Sequence, residues 1–341
     1  MRKVIFFFIS LYILFSSLFN GLLLITPVMI TNIYYKNFGC AFKNIMYINI
    51  AFIIKYFLGT EMYVNSNKYV QAMFNEKNQI FLIQNHFTEI DYLFQTYFLT
   101  NLNSALKILN YKFICVAKKF VGNIFIGVGI HSLFSNDLYL TRDINIDAKN
   151  ILKKHNDCDM IYMFPEGTCY NEFTKKISDE YTKNNKLFKF QYHLYPRLTG
   201  MFLLIKKNRD LRKIYDLTMI YDTIPKEKYG QVYRLYDFFY KYDFPNKIFV
   251  NIENYPIDST IFFQEKIEFI YMNKDNFINN FNPNQNKFEK FNFNNNIALG
   301  SFIIYNLILL LSLRLFIKYE LIRTFYFFQI IIYLFYFNFL Y

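Results

Sequence analysis

The sequence predicts an α/β domain with a mostly parallel sheet, carrying membrane helices at its N-terminal and C-terminal ends. Three observations predict it. From about residue 60, short apolar runs alternate with longer helix-like blocks, the pattern of strands joined by crossover helices. Two of those runs break abruptly into polar clusters, at His86 and at Glu166. Both ends of the chain are long apolar stretches.

Composition sets the frame. The 341 residues suffice for one large domain or two small ones. Hydrophobic residues make up 54% and aromatic residues 22%, with 43 Phe and 31 Tyr, more than an ordinary globular chain carries and as expected of one with membrane segments. The net charge of +12 asks for an anionic partner or for basic flanks on membrane segments. Arginine-rich runs, RNP-type segments and zinc-finger spacings are absent from the sequence, so no nucleic-acid partner is expected. Cys40, Cys115, Cys158 and Cys169 show no CxxC or His/Cys spacing; they read as reduced packing thiols, with no metal site. No internal repeat is apparent, and no oligomeric state is read from the chain.

In order along the chain, residues 4–34 follow Arg2 and Lys3 as an apolar run longer than the roughly 20 residues that span a bilayer. It exceeds the core of a cleaved signal peptide and reads as a retained anchor. Residues 45–58, interrupted by Asn49 and Lys55, read as a short interfacial or re-entrant helix, so that 1–60 forms the membrane-proximal part. The catalytic domain is expected over 61–272. Its strands are expected at 79–84, 112–117, 137–141, 159–164, 214–221 and 247–252, and helices at 91–102, 145–155, 171–185 and 198–208. Residues 273–296 are Asn-rich and read as a flexible linker. The apolar runs 297–313 and 324–341, separated by Arg314, Lys318, Glu320 and Arg323, read as a C-terminal transmembrane hairpin (297–341) with a basic loop. Basic residues flank both ends of the spans, so the positive-inside rule gives no orientation.

The first polar break is Asn85-His86-Phe87-Thr88-Glu89-Ile90-Asp91. Residues five apart do not share a helix face. If the side chains meet, His86 sits in the turn before a helix and Asp91 reaches back from its first turn. A carboxylate there can fix the tautomer of an imidazole and stabilise its cation. The second break, Phe164-Pro165-Glu166-Gly167-Thr168, ends a strand with a proline, a glycine and two polar side chains. Each break alone also reads as an ordinary loop.

Together, and in this order, they resemble the glycerolipid acyltransferases, closest to the 1-acylglycerol-3-phosphate acyltransferase (PlsC-like) family. Val116-Ala117-Lys118-Lys119 with Gly127 and Gly129 is similar to that family's lysine-and-glycine block. Leu138-Tyr139-Leu140-Thr141-Arg142 is similar to its second motif, and Leu194-Tyr195-Pro196-Arg197-Leu198-Thr199-Gly200 to its fourth. The long spacer before Pro196, the later Tyr255-Pro256-Ile257-Asp258 and the apolar C-terminus resemble its eukaryotic lysophosphatidic acid and lysocardiolipin branch. Two departures stand out: Tyr92 where the family usually has Trp, and Cys169 where many members have Arg.

The resemblance implies a glycerolipid acyltransferase-like domain that passes an acyl group from acyl-CoA to the hydroxyl of a lysophospholipid at a membrane, with no bound cofactor. Lysophosphatidic acid is the leading acceptor, lysocardiolipin and lysophosphatidylinositol are the alternatives, and a catalytically inactive lipid-binding scaffold is the rival from another class. The resemblance places the chain in the endoplasmic reticulum, with a mitochondrial or plastid-type membrane as the alternative. It implies direct transfer with His86 as general base and Asp91 orienting it. Glu166, Gly167 and Thr168 shape the acceptor site, Lys118 and Arg142 neutralise its phosphate, and Pro196 and Arg197 serve the acceptor or the CoA phosphates. Lys118 also reads as a solvated surface lysine. Cys169 is the one candidate nucleophile, discounted because nothing in the sequence supplies it with a base. His131 reads as a core histidine, His155 as solvated, and His193 has no evident role.

Overall fold

The computed structural model describes residues 38–100, 111–119, 137–154, 158–208, 211–222, 244–257, 263–283, 286–293 and 295–320, with parts of 8–20 and 322–330. In chain order the elements are α1 (Phe38–Tyr56), β1 (Glu61–Val64), α2 (Asn67–Phe74), β2 (Ile80–Gln84), α3 (Asp91–Leu99), β3 (Phe113–Lys118), β4 (Leu138–Leu140) and α4 (Ile144–Lys154). They continue with β5 (Met160–Met163), α5 (Glu172–Asn184), α6 (Leu198–Lys207), β6 (Lys213–Tyr221), β7 (Lys247–Pro256), α7 (Phe263–Asn280), β8 (Glu289–Lys290) and α8 (Asn295–Lys318). The six strands and four helices expected from the apolar pattern are all present, with ends shifted by a few residues. Gly127, Gly129, His131 and His155 lie outside the described residues, as do most of 4–34 and most of 324–341.

The chain divides into two compact units. One comprises residues 58–95 and 160–292 and carries the longer stretch of sheet. Its strands run in the order β5, β2, β6, β7, β1, β8. β2 pairs parallel with both β5 and β6, and β1 pairs parallel with β7. Among the described residues of this unit, only the β6–β7 and β1–β8 pairs are antiparallel. Every residue of β2 and β5 is buried, as expected of strands covered on both faces, which read as continuous apolar runs rather than alternating ones. α2 starts at an N-cap, Ser66, whose side chain accepts from Tyr69 N, and α5 starts at an Asn171–Thr174 capping box.

The Asn-rich tract differs from the expected linker. Its first residues, 273–280, are the last turns of α7, where Lys274, Asp275 and Ile278 are buried. Glu289 and Lys290 add a short antiparallel strand to β1, and Phe291 N donates to Met62 O. Composition misleads here because the apolar and charged residues between the Asn residues find partners.

The other unit comprises residues 1–57, 96–159 and 293–341. β3 and β4 pair in parallel, with Lys118 opposite Leu140. The stretch expected as a short interfacial helix is part of α1, which is 19 residues long and largely buried within this unit. It packs on α8, with Phe52 stacked against Phe302 at 4.6 Å. Its Lys43 is 2% exposed and bonds Asp137 Oδ1 at 2.7 Å and Phe113 O at 2.9 Å, which ties α1 to the protein interior. α8 runs through the break expected after residue 313, so Arg314 and Lys318 lie within the helix rather than in a hairpin loop. Among the described residues it is the one helix long and apolar enough to cross a membrane.

Candidate active site

β2 and β5 set the geometry. Their register aligns Ile83 with Met163, so the residues three places beyond, His86 and Glu166, leave the same edge of adjacent parallel strands. That edge holds the carboxyl ends, where ligands bind in open α/β sheets. His86 N donates to Glu166 Oε1 at 3.0 Å, and Leu194 N donates to Glu166 Oε2 at 3.2 Å. Tyr170 N donates to His86 O at 2.9 Å, and Arg197 N to Pro165 O at 2.8 Å. Three separate stretches of chain therefore meet at the two strand ends. Asn85 extends the β2 ladder: its side chain accepts from Met219 N at 2.8 Å and donates to Met219 O at 3.0 Å.

Asp91 opens α3 and reaches back to His86, whose Nδ1 lies 3.1 Å from Asp91 Oδ2. The same oxygen accepts Thr88 N at 2.9 Å, and Oδ1 accepts Thr88 Oγ1 at 2.7 Å and the Tyr221 hydroxyl. A carboxylate held by so many donors has one orientation to offer, and it fixes the imidazole. Phe164 stacks on the His86 ring at 4.1 Å. The side chain is 17% exposed, so a reactant can reach it.

The other nitrogen of the ring has a partner that the sequence did not suggest. Cys169 Sγ lies 3.2 Å from His86 Nε2. Burial works against a charged His86, but the Cys169 sulfur on one side and Asp91 on the other outweigh it and raise the imidazole to about 10.

Glu166 is 2% exposed. Burial raises its carboxyl to about 8, against the pull of the His86 and Leu194 amides and of the His86 charge. Between about 4.5, the unfolded value, and about 8, the folded chain holds a proton that the unfolded chain has released, so stability falls as pH rises through that window. Glu166→Gln should lose about 1–3 kcal/mol at acidic pH, because the amide NH₂ must face a backbone N–H. Its deficit should shrink toward pH 8. Urea titrations of both proteins at several pH values check this; parallel stability–pH curves would contradict it.

Gly167 has φ +67°, a left-handed conformation that glycine adopts without strain. A Cβ there would sit 2.9 Å from Arg197 Cδ. Gly167→Ala is expected to cost about 1–3 kcal/mol and to push the Arg197 side chain away. Thermal unfolding checks the first part, and a loss of the wild-type position of Arg197 in a crystal structure checks the second. Thr168 is half-buried between Gly167 and Cys169, Pro196 is buried and Arg197 is exposed.

Lys118 and Arg142 belong to the unit that comprises residues 1–57, 96–159 and 293–341. Lys118 ends β3, and Arg142 follows β4 by two residues, so both stand at carboxyl ends of paired parallel strands. Arg142 has φ +72°. Its turn is held by Asp147, which accepts Thr141 N, Thr141 Oγ1 and Arg142 N at 2.7, 2.9 and 3.0 Å.

The sequence reading passed over three contributors. Thr88 and Tyr221 support Asp91; a hydroxyl at the carboxyl end of a strand neighbouring β2 was the available signal for Tyr221. The third is a second His–Asp pair, His193 Nδ1 to Asp275 Oδ1 at 2.6 Å. Asp275 also accepts Gln191 N and Tyr192 N, so it holds the loop that presents Leu194 N to Glu166. Burial lowers the buried His193 despite Asp275.

The family model named Acyltransferase matches residues 63–222, a span that contains both strand ends. Over this stretch the chain is similar to that family. The chain is 27% identical over 275 residues to lysophosphatidylinositol acyltransferase 10 of Caenorhabditis elegans, an alignment covering 75% of this chain and 65% of that protein. It is 26% identical over 199 residues to lysocardiolipin acyltransferase 1 of Gallus gallus, covering 55% and 48%. The chain thus spans less than two thirds of the length of these relatives. Against solved structures, it aligns with the 1-acyl-sn-glycerophosphate acyltransferase PlsC of Thermotoga maritima at 14% identity and a TM-score of 0.43, covering 82% of this chain and 95% of that one.

Proposed function

We propose that the protein is an acyl-CoA-dependent lysophospholipid acyltransferase working at a membrane. The observation that carries this reading is the His86–Asp91 pair, 3.1 Å apart at the carboxyl end of a parallel strand and tied through the His86 amide to Glu166. A neutral imidazole there takes the proton of an acceptor hydroxyl, and Asp91 stabilises the resulting cation. An inactive scaffold has no use for a base so fixed. Acyl-CoA is the co-substrate, and the reaction asks for no bound cofactor. Lys118 and Arg142 are assigned to the acceptor phosphate, and Pro196 and Arg197 to the acceptor or the CoA phosphates. α8 supports a membrane setting, with the endoplasmic reticulum as the proposed compartment and a mitochondrial or plastid-type membrane as the alternative.

For the acceptor, the names of the relatives support lysophosphatidylinositol or lysocardiolipin. The motif resemblance supports lysophosphatidic acid as the leading acceptor, giving phosphatidic acid. Competition decides between them. Membranes bearing the protein would be given labelled long-chain acyl-CoA and equal amounts of the three lysolipids, and the labelled product identified. A single dominant product names the acceptor. Lipid binding without any labelled product would favour the scaffold.

Arg142→Ala should raise KM for the acceptor by about 10- to 150-fold, one charge-assisted contact being worth about 1.5–3 kcal/mol, with kcat nearly unchanged. An unchanged KM would remove Arg142 from the acceptor site.

A further inference from the structure

We infer that α5 is the face on which the unit of residues 58–95 and 160–292 lies against a bilayer of anionic phospholipid. This rests on the membrane reading above and deepens it, by naming the surface that docks and the lipid chemistry it fits.

The polarity of α5 is reversed. A helix on a globular domain turns its apolar stripe to the core. In the same unit α2 does so with Val70, Met73 and Phe74, and α6 with Met201, Leu204 and Ile205. α5 buries Thr182 alone. Its inward side is Thr174, Ser178 and Thr182, spaced four apart, and each hydroxyl is in use. Thr174 Oγ1 donates to Cys169 O at 3.0 Å, Ser178 Oγ accepts Tyr195 N at 2.8 Å, and Thr182 Oγ1 donates to Asp179 O at 3.0 Å. Phe173, Ile177 and Tyr181 have the same spacing and form one row, and that row faces outward. Phe173 is 72% exposed, and Ile177 and Tyr181 are 51% exposed each. Phe188, just beyond the helix, is exposed as well. Turning the helix to bury the row would break the Ser178 bond to Tyr195 and disturb the Asn171–Thr174 capping box. The fold itself therefore keeps the row outside.

An exposed apolar row marks an interaction site, and the charge around it indicates the partner. Lys176 and Lys183 are exposed on the same helix, and Lys186 and Lys189 follow it. The helix also lines an open cavity of about 610 Å³, with Lys175, Lys176, Lys183 and Lys189 among its walls. Of the acidic residues here, Asp179 pairs with Lys175 and, at 3.0 Å, with Lys189, while Glu172 and Glu180 are exposed. Lysines outnumber acidic residues over 172–189, so the face is net positive. Aromatic and aliphatic side chains in a row beside lysines are the pattern of a helix lying in the headgroup region of an anionic bilayer.

The position of α5 suits that use. β5 ends at Met163, and α5 starts at Glu172 after the turn in which Tyr170 N binds His86 O at 2.9 Å. The helix thus begins at the sheet edge that carries His86 and Glu166. With Phe173 in the acyl boundary, that edge stands at headgroup depth, where a lysophospholipid presents its hydroxyl. The acceptor then reaches the strand ends by moving in the plane of the membrane.

The test places the photoreactive amino acid p-benzoylphenylalanine at position 173 or 181 of the full chain, in vesicles of phosphatidylcholine with and without phosphatidylglycerol. Irradiation should give phospholipid adducts at both positions. The same group at position 68 should give few: β1 runs antiparallel to β2, so α2 starts at the opposite edge of the sheet. Phosphatidylglycerol should raise the yield at 173, and Lys176→Gln with Lys183→Gln should abolish that rise, each lysine being worth about fivefold near an anionic surface. Phe173→Gln with Ile177→Gln should raise KM for a long-chain lysolipid in vesicles at least about tenfold. It should leave thermal unfolding, and kcat on a short-chain, water-soluble lysolipid, unchanged. Adducts to a second copy of the chain in place of lipid would overturn the proposal, as would equal lipid yields at 173 and 68, or yields indifferent to phosphatidylglycerol. The two readings fail separately. Lipid adducts from a protein that transfers no acyl group would sink the acyltransferase and leave the docking face. Acyl transfer to a lysolipid without adducts at 173 and 181 would do the reverse.

Discussion

His86→Ala is expected to lower acyl transfer by about 10²–10⁴-fold, while expression, membrane insertion and unfolding temperature stay close to wild type. The structure separates the two effects. Without the imidazole, Asp91 keeps Thr88 N, Thr88 Oγ1 and the Tyr221 hydroxyl, so no buried carboxylate is left without donors. The bond from residue 86 N to Glu166 belongs to the backbone and survives the change. Asp91→Asn should cost a comparable factor and add a pH signature. Asp91 is one of the groups that raise His86, so removing its charge lowers the imidazole value. The limb of the pH–rate profile on which His86 must be neutral then moves toward acid. Measuring kcat over pH 5–10 for wild type and Asp91→Asn checks the sign. Equal turnover by His86→Ala and wild type would remove His86 from the chemistry altogether.

The second large effect concerns stability. Lys43→Met should destabilise its unit by about 3–5 kcal/mol, the cost of leaving a buried carboxylate without its cation. Asp137 is 2% exposed, and its Oδ1 takes both Lys43 Nζ at 2.7 Å and Cys115 N at 2.8 Å. Losing the lysine also strips a donor from Phe113 O. Pairing Lys43→Met with Asp137→Asn should recover part of the loss, since no unpaired charge remains. Thermal unfolding in nanodiscs measures both. A shift in Lys43→Met no larger than that of a surface lysine would show that water reaches the pair.

Local pattern carried the reading far in some places and failed in others for definite reasons. The buried strands β2, β5 and β6 announce themselves because each is an apolar run ended by a polar break. β1 is missed because Glu61-Met62-Tyr63-Val64 alternates over only four residues, too few to distinguish from loop. The His86–Asp91 contact is legible because both partners lie in one turn. The Cys169–His86 contact is not: it spans 83 residues and exists because β2 and β5 are neighbours in register. Had that pairing been assumed, the equal offsets of His86 and Glu166 from their strands would have brought Cys169 close. Lys43–Asp137 and His193–Asp275 carry no local trace. Each joins residues more than 80 positions apart, and a charged residue in an apolar helix reads as exposed until its counter-ion is found.

The bonds around Asp275 bear on where the chain can be cut. Asp275 holds Gln191 N and Tyr192 N, the next residues bring Leu194 N to Glu166, and Glu166 holds the amide of His86. A fragment ended at residue 222, where the family match stops, or at 272, where composition begins to look like linker, would keep every candidate site residue and lose the far end of that tether. Such a fragment would carry the reacting groups without the frame that aims them. The smallest piece worth expressing for this unit therefore runs to residue 292, where Asn292 N bonds the Asn67 side chain.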